Sequence, residues 1–585
     1  MMHYTKTSYL LLLLCSFTCT MCQTQAQQSY NPLWIPDTLA GPDFNLTLKD
    51  TFAQLIPKGN QTITAGINGK IWGPTLIMHK GETVHFNIQN KLNDSTTLHW
   101  HGFHLPAVMD GGPHQVIPPG TVWQPYWKVT NNAATYWYHP HLHEMTEEQI
   151  TKGLGGLIIV RDEIESALAL PRTYSVDDIP LVLTDRDFNS ANQFVTVPYG
   201  DSMMVNGTLR AQHTVPAQVV RFRILNGAIE RSYNIGFGDN RAFYVIGSDG
   251  GLLNAPVSVT RYLLHAGERI EILVNFGGQT GQSVDIKAFN STLGNFVAGG
   301  ENFSNGPFAN YLGKKDFTMV HFNVGTATAN PITTIPTVLT NNVLLNVADA
   351  NITRKLTISD SAGVTNPPIL GPNAFIINHK LFDINYNEYA VPLGNTEIWQ
   401  ITSSSIFGHP FHIHDVEFNI ISVNGAAPAP AQAGWKDVVF IPGRTGGQNA
   451  VVKFIARFED YADTLHPFMY HCHIALHEDE GMMGQFIVKD NAASATTEVD
   501  ASADFALFPN PAQDRLFLRF NDPDMLAYYI RITDALGRTL YMLPQPDLHA
   551  GLDVSKLKAG VYNLECRDAK TKKSRTKRFV MGNNR

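Results

Sequence analysis

One strand pattern occurs twice in this chain, and that repetition limits its fold more than any other feature. Tyr136-Trp137-Tyr138-His139-Pro140-His141 is matched near the far end by Pro467-Phe468-Met469-Tyr470-His471-Cys472-His473. Each copy is followed by a glycine turn and an apolar run. These runs are Gly155-Gly156-Leu157-Ile158-Ile159-Val160-Arg161-Asp162 and Gly481-Met482-Met483-Gly484-Gln485-Phe486-Ile487-Val488-Lys489-Asp490. Upstream of each lies an alternating segment, Thr83-Val84-His85-Phe86-Asn87-Ile88 and Thr396-Glu397-Ile398-Trp399-Gln400-Ile401. A third, Val219-Val220-Arg221-Phe222-Arg223-Ile224, sits midway and leads to Glu230-Arg231-Ser232-Tyr233 with no His pair. Alternation of period two marks a strand with one buried face. The expectation is an all-β chain of three consecutive sandwich units. The outer two would share a site, and the middle one would be a spacer.

The copies differ where Pro140 gives way to Cys472. His477 follows four residues after His473, and Met482 ten residues after the cysteine. Successive side chains of a strand point to opposite faces. Cys472 would therefore face one centre while His471 and His473 face another. A thiolate, two imidazoles and a weak thioether form the donor set of a blue-copper electron-transfer site. This segment supplies all but one imidazole. Three more clusters accompany it: His99-Trp100-His101, His139-Pro140-His141 and His409-Pro410-Phe411-His412-Ile413-His414. Among 22 histidines a lone His-x-His arises by chance. Four in this order, one straddling a cysteine, do not fit unrelated structural histidines.

With Asp110-Gly111-Gly112-Pro113, Ser248-Asp249-Gly250-Gly251-Leu252 and Ala433-Gly434-Trp435-Lys436-Asp437, the chain resembles the three-domain multicopper oxidases. These are the laccases, bilirubin oxidases and bacterial copper-efflux oxidases. The likeness spans residues 33–490 and is greatest to the copper-efflux and spore-coat laccase branch. It implies three cupredoxin-like domains and four coppers per chain. By motif position, His409, Cys472 and His477 would hold the type 1 copper, with Met482 axial. His99 and His412 would hold the type 2 copper. His101, His139, His141, His414, His471 and His473 would hold the type 3 pair. The implied reaction is one-electron oxidation of phenols or aromatic amines at the type 1 copper, coupled to four-electron reduction of O2 to water. His409 is the implied entry point for electrons, its outer ring edge approaching solvent in the resembling enzymes. Acids at the positions of Asp110 and Glu478 relay protons in the resembling enzymes; the plainer alternatives are a turn residue and a surface carboxylate. His104, His114 and His143 lie outside the ligand spacing and are read as contacts to ligands or solvent.

Other readings keep the fold and change the use. One is a cuprous-ion oxidase for copper tolerance, although no Met lies between Met319 and Met469. Another is a bilirubin-oxidase-like activity. A third is a copper-free scaffold, which would have lost ligands that this chain retains. Loops 403–407 and 424–432 are expected to shape the substrate pocket.

Residues 1–26 read as a secretory signal peptide, with Lys6, an apolar run over 9–15 and small residues near 24–26. Cys15, Cys19 and Cys22 would leave with it, and Cys472 and Cys566 alone suggest no disulfide framework. No later apolar run is long enough to span a bilayer. The expected domains are 27–168, 169–330 (without copper) and 331–490, then a small polar linker over 491–503. The remainder, 504–585, contains Phe508-Pro509-Asn510-Pro511-Ala512, Asp534-Ala535-Leu536-Gly537-Arg538, Leu557-Lys558-Ala559-Gly560-Val561-Tyr562 and Lys577-Arg578-Phe579-Val580. It resembles the C-terminal sorting domain of the type IX secretion system. That implies secretion or cell-surface display by way of the periplasm, with the secretion machinery as partner. The formal net charge is −8; residues from 504 onward carry 14 Lys and Arg against 9 Asp and Glu, leaving −13 for the rest. An acidic body argues against nucleic acid as a partner.

Overall fold

The computed structural model describes residues 29–306, 308–361, 375–490, 505–520, 527–534, 538–544, 551–568 and 574–582. The expected signal peptide with its three cysteines, the linker 491–503 and residues 535–537 of the tail motif lie outside them. Strands dominate, as the period-two segments require. Three large sandwiches follow one another, each around its own apolar core, with a smaller one over the tail.

The duplication is visible in the sheet order. In the first sandwich Gly156–Arg161 pairs antiparallel with Thr135–His139, which pairs with His99–His101. In the third, Met483–Lys489 pairs with Asp463–Cys472, which pairs with His409–Ile413. His139 lies opposite His99, and His471 opposite His412. Each copy thus brings two His-bearing strands side by side, at the sheet's edge in the first sandwich and one strand in from it in the third. The first two residues of strand structure depart from the expected boundary. Asn31–Pro32 lies within 27–168 but pairs in parallel with Ala211–Pro216 of the middle sandwich, covering the edge of its six-stranded sheet.

Buried ion clusters join the sandwiches. Arg221 and Arg223, on the middle sandwich's Val219–Asn226, meet Glu165, Asp178 and Glu271 with no exposed member. Arg223 also donates to Thr135 of the first sandwich at 3.0 Å. Lys436 of the third reaches Asp249 and Glu268 of the middle, each at 2.9 Å. Removing one partner of such a pair leaves an uncompensated buried charge, a loss of about 3–5 kcal/mol. Buried ion pairs and hydrogen bonds thus tie the middle sandwich to both of its neighbours. Among the described residues no helix is long and apolar enough to cross a membrane.

Candidate metal centres

Twelve side chains were singled out from the sequence, and the fold gathers eleven of their donor atoms into two buried groups. The smaller contains His409, Cys472 and His477, whose donor atoms lie within 4.8 Å of one another. Cys472 Sγ is 3.5 Å from His409 Nδ1 and 3.6 Å from His477 Nδ1. Met482 is wholly buried in the same core. Its backbone pairs with both neighbours: Cys472 N donates to Met482 O at 3.1 Å, and Met482 N to His477 O at 2.8 Å.

The larger group holds eight imidazoles in three triplets, the first two sharing His101: His99, His101 and His412; His101, His139 and His473; His141, His414 and His471. His141 Nε2 is 3.1 Å from His471 Nε2, and His473 Nε2 is 3.2 Å from His101 Nδ1. The outer nitrogens show which inner ones carry lone pairs. His99 Nδ1 donates to Asp110 O at 2.9 Å, His412 Nδ1 to Asp437 O at 2.8 Å and His139 Nδ1 to Pro140 O at 2.8 Å. With the proton fixed outside, each inner nitrogen presents a lone pair. The Nε2 atoms of His99 and His412 are buried with no hydrogen-bond partner. Converging lone pairs repel one another unless a cation sits among them, so this donor set fits metal ions. Soft sulfur with imidazole at one group and imidazole alone at the other suits copper.

Burial first, and then the neighbouring imidazoles, holds His101, His139, His412 and His414 well below the usual imidazole pKa. His409 is held low for the same reasons, and burial brings His477 down to about 3. Neutral imidazole is the ligating form. Burial raises the Cys472 thiol well above its usual range, so binding a metal there must expel a proton.

Two acids touch the larger group. Asp110, buried after the short turn Ala107–Met109, places Oδ2 2.7 Å from His414 Nδ1 and Oδ1 3.5 Å from His99 Nδ1. Glu478 spans two ligand candidates, 3.2 Å from His141 Nδ1 and 3.1 Å from His471 Nδ1. It also accepts a hydrogen bond from Thr146 Oγ1 at 2.8 Å. Burial opposes its ionisation, but His141 and His471 outweigh that and hold its carboxyl below the usual range. Neither acid is a surface group: both are 1 % exposed.

Two expectations need correction. His409 does not reach solvent: it is wholly buried, and its Nε2 is 3.3 Å from Ser405 Oγ. The partnerless outer edge belongs to His477, whose Nε2 faces Glu230 at 3.9 Å. Loop 424–432 is largely exposed, with only Ala431 buried, in the middle sandwich's core. And the middle sandwich is more than a spacer. It supplies Glu230, whose carboxyl is raised by burial and by Glu301 and Glu147, and Tyr199, 3.4 Å from Glu230 Oε1. No spacing signal marked these residues, since they lie in loops far from any His pair. His104, His114 and His143 join neither group; His104 binds Asp415 at 2.9 Å and His114 binds Gln485 at 2.8 Å.

Comparisons with known proteins agree with this architecture. Family profiles described as multicopper oxidase match residues 51–165, 177–295 and 342–492, and one described as a secretion system C-terminal sorting domain matches 506–581. "Multicopper oxidase mco" of Staphylococcus haemolyticus is 30% identical over 74% of this chain and 85% of its own length. "Cell division protein FtsP" of Xenorhabdus nematophila is 32% identical over 73% and 86%. Among solved structures, the laccase-like multicopper oxidase CueO of a lignin-degrading Ochrobactrum sp. gives a TM-score of 0.68 at 33% identity, covering 78% of this chain and all of that one. A laccase from Pediococcus acidilactici gives 0.68 at 31%, covering 79% and 94%. With its paired His strands, its cysteine between two of them and its appended sorting domain, this chain belongs to the multicopper oxidase family.

Proposed function

We propose that the protein is a laccase-like oxidase, taking electrons from small phenols or aromatic amines and passing them to O2. The observation that carries this reading is the pair of buried groups of converging donor atoms, linked by the single strand Asp463–Cys472 and the residue after it. His409, Cys472, His477 and Met482 would hold the type 1 copper. His99 and His412 would hold the type 2 copper. The triplets His101, His139, His473 and His141, His414, His471 would hold the type 3 pair, making four in all. Bound there, copper would accept electrons singly and supply four of them to O2, giving water.

The chain's own residues do the rest. Cys472 is covalently joined to His471 and His473, so the two groups share one short stretch of backbone. Burial of its eight imidazoles keeps water from the larger group. Water formation consumes protons, and Asp110 and Glu478 each lie within hydrogen-bond reach of imidazoles there, where a carboxyl can hold and release one. A reductant would approach His477, not His409. Phe375 and Phe407 stand 4.5 and 5.9 Å from the His477 ring, an apolar wall suited to an aromatic ring. Glu230, 3.9 Å from His477 Nε2, would offer a phenol or amine a hydrogen bond. The sorting domain would deliver the enzyme to the cell surface or medium through the type IX machinery.

A binding protein without oxidase activity is the second reading, raised by the FtsP relatives. Against it stands the complete donor set, since nothing in a scaffold requires eight converging imidazoles. Oxygen uptake by the copper-loaded protein tests the reading against a panel of a phenol, an aromatic amine, a bilin and Cu(I). Fastest turnover on the phenol or amine is expected. Preference for the bilin or Cu(I) would transfer the reading to those substrates, and no uptake with any of the four would sink it.

A further inference from the structure

The middle sandwich offers no donor atom, yet it reaches the eight-histidine group. Seven of the eight imidazoles turn Nε2 inward; His101 alone turns Nδ1 inward, toward His139 and His473. The cause lies at its other edge, where Nε2 is 3.1 Å from Oδ1 of Asp437. Asp437 is wholly buried, and a buried carboxylate needs a partner to remain charged. Arg269, first residue of the middle sandwich's strand Arg269–Asn275, is that partner. Its Nη1 donates to Oδ1 at 2.7 Å and its Nη2 to Oδ2 at 2.5 Å.

The remaining donors meet backbone carbonyls. Nε donates to Thr135 O at 3.1 Å, Nη1 also to Gly267 O at 3.0 Å, and Nη2 also to Asp249 O at 3.0 Å. A guanidinium has five N–H groups, and here every one has an acceptor. The acceptors come from all three sandwiches. The surroundings are fitted to this arrangement. A Cβ on Gly102, at φ +85, would come within 2.3 Å of Asp437 Oδ2. One on Gly267, at φ +83, would come within 2.7 Å of the His473 ring.

The geometry points to Arg269 as a positioning residue of the larger metal group. It locks Asp437 so that His101 keeps its proton on Nε2 and offers the Nδ1 lone pair inward. The inference rests on the reading that the eight histidines hold copper. Without the fork, Asp437 loses its fixed orientation and His101 can adopt the other tautomer, leaving His139 and His473 short of their third donor. Lysine would keep the charge but not the planar, two-pronged geometry.

Arg269→Lys in the full chain tests this by copper titration, electron paramagnetic resonance, the thiolate-to-copper absorption and the melting temperature. The variant is expected to keep the Cys472 absorption and a near-normal melting temperature. The larger group should bind copper about 10- to 100-fold more weakly, with an altered signal from the copper outside the cysteine group. Unchanged affinity and signal would overturn the inference. So would equal loss from both groups in step with a lower melting temperature, the mark of a merely structural role. Should Arg269→Lys fail to fold, Asp437→Asn must show the same selective loss, and its absence would also overturn the inference. A wild-type chain that takes up no copper would instead remove the functional reading beneath it.

Discussion

The two His-bearing sandwiches share one frame and differ at one decisive position. In both, a strand that runs into a His-x-His pair lies antiparallel to a second His-bearing strand, with Gly156–Arg161 or Met483–Lys489 on its other side. The alternation of the strand sends the two histidines of each pair inward to the common group. The residue between them faces the other way. In the first copy that residue is Pro140, which has no donor. In the third it is Cys472, buried against His409 and His477. One side chain therefore separates a half-site from a half-site wired to a second centre.

The sharpest way to break this comparison is to make the third copy resemble the first. Cys472→Ser keeps the shape and removes the sulfur. It should abolish both the blue absorption and substrate-driven oxygen uptake, while the eight histidines still take up copper. Absorption spectra and metal analysis read this directly. A blue Cys472→Ser protein would mean that the cysteine is not a metal ligand.

The next largest effects concern the acids, one on each copy. Asp110 follows the first His pair and Glu478 follows His477. Asp110→Asn and Glu478→Gln keep the shape and cannot carry a proton. Each should slow steady-state oxygen reduction by about 10²- to 10⁴-fold, yet leave anaerobic bleaching of the blue absorption by a phenol fast. Stopped-flow measurement separates the two steps. Equal slowing of both would show that the acids shape the site instead of serving protons.

A smaller effect should locate the side from which electrons enter the third copy. Glu230→Gln removes the acid beside His477, and Ser405→Ala removes the hydroxyl beside His409. The first should lower kcat/KM for phenols by about 10-fold or less, the scale of one hydrogen bond. The second should leave it unchanged. A larger loss in Ser405→Ala would return the doorway to His409.

The frame and the donors were legible because both depend on local pattern. Period-two alternation reports a strand with one buried face, and His-x-His on a strand reports two side chains on the same face. The copies are also close enough in sequence for each to confirm the other. What could not be read arises from the meeting of distant loops. Nothing in Glu230-Arg231-Ser232-Tyr233 says that Glu230 will face His477 at 3.9 Å, because that depends on how the middle sandwich docks. Arg269 and Asp437 lie far apart in sequence and look like ordinary strand-end charges, and only the packed chain shows their fork. The burial of His409 is hidden from the sequence for the same reason. Its exposure is set by neighbouring loops, including the hydroxyl of Ser405, and not by its place in the motif.

The smallest catalytic effect belongs to the region furthest from the duplication. Every donor and both acids precede residue 490, and the tail forms its own sandwich around Phe505, Leu516, Ile530, Leu564 and Phe579. Truncation after Asp490 should therefore leave the kcat, copper content and colour of protein made in a heterologous host unchanged. In the native host the same truncation should change only location, since the tail matches a sorting domain. Fractionation should find the active, blue enzyme held in the periplasm. If the truncated chain still arrived at the cell surface, the tail would have to act as a binding module instead. If its kcat fell, the catalytic unit would extend past the two copies that define it.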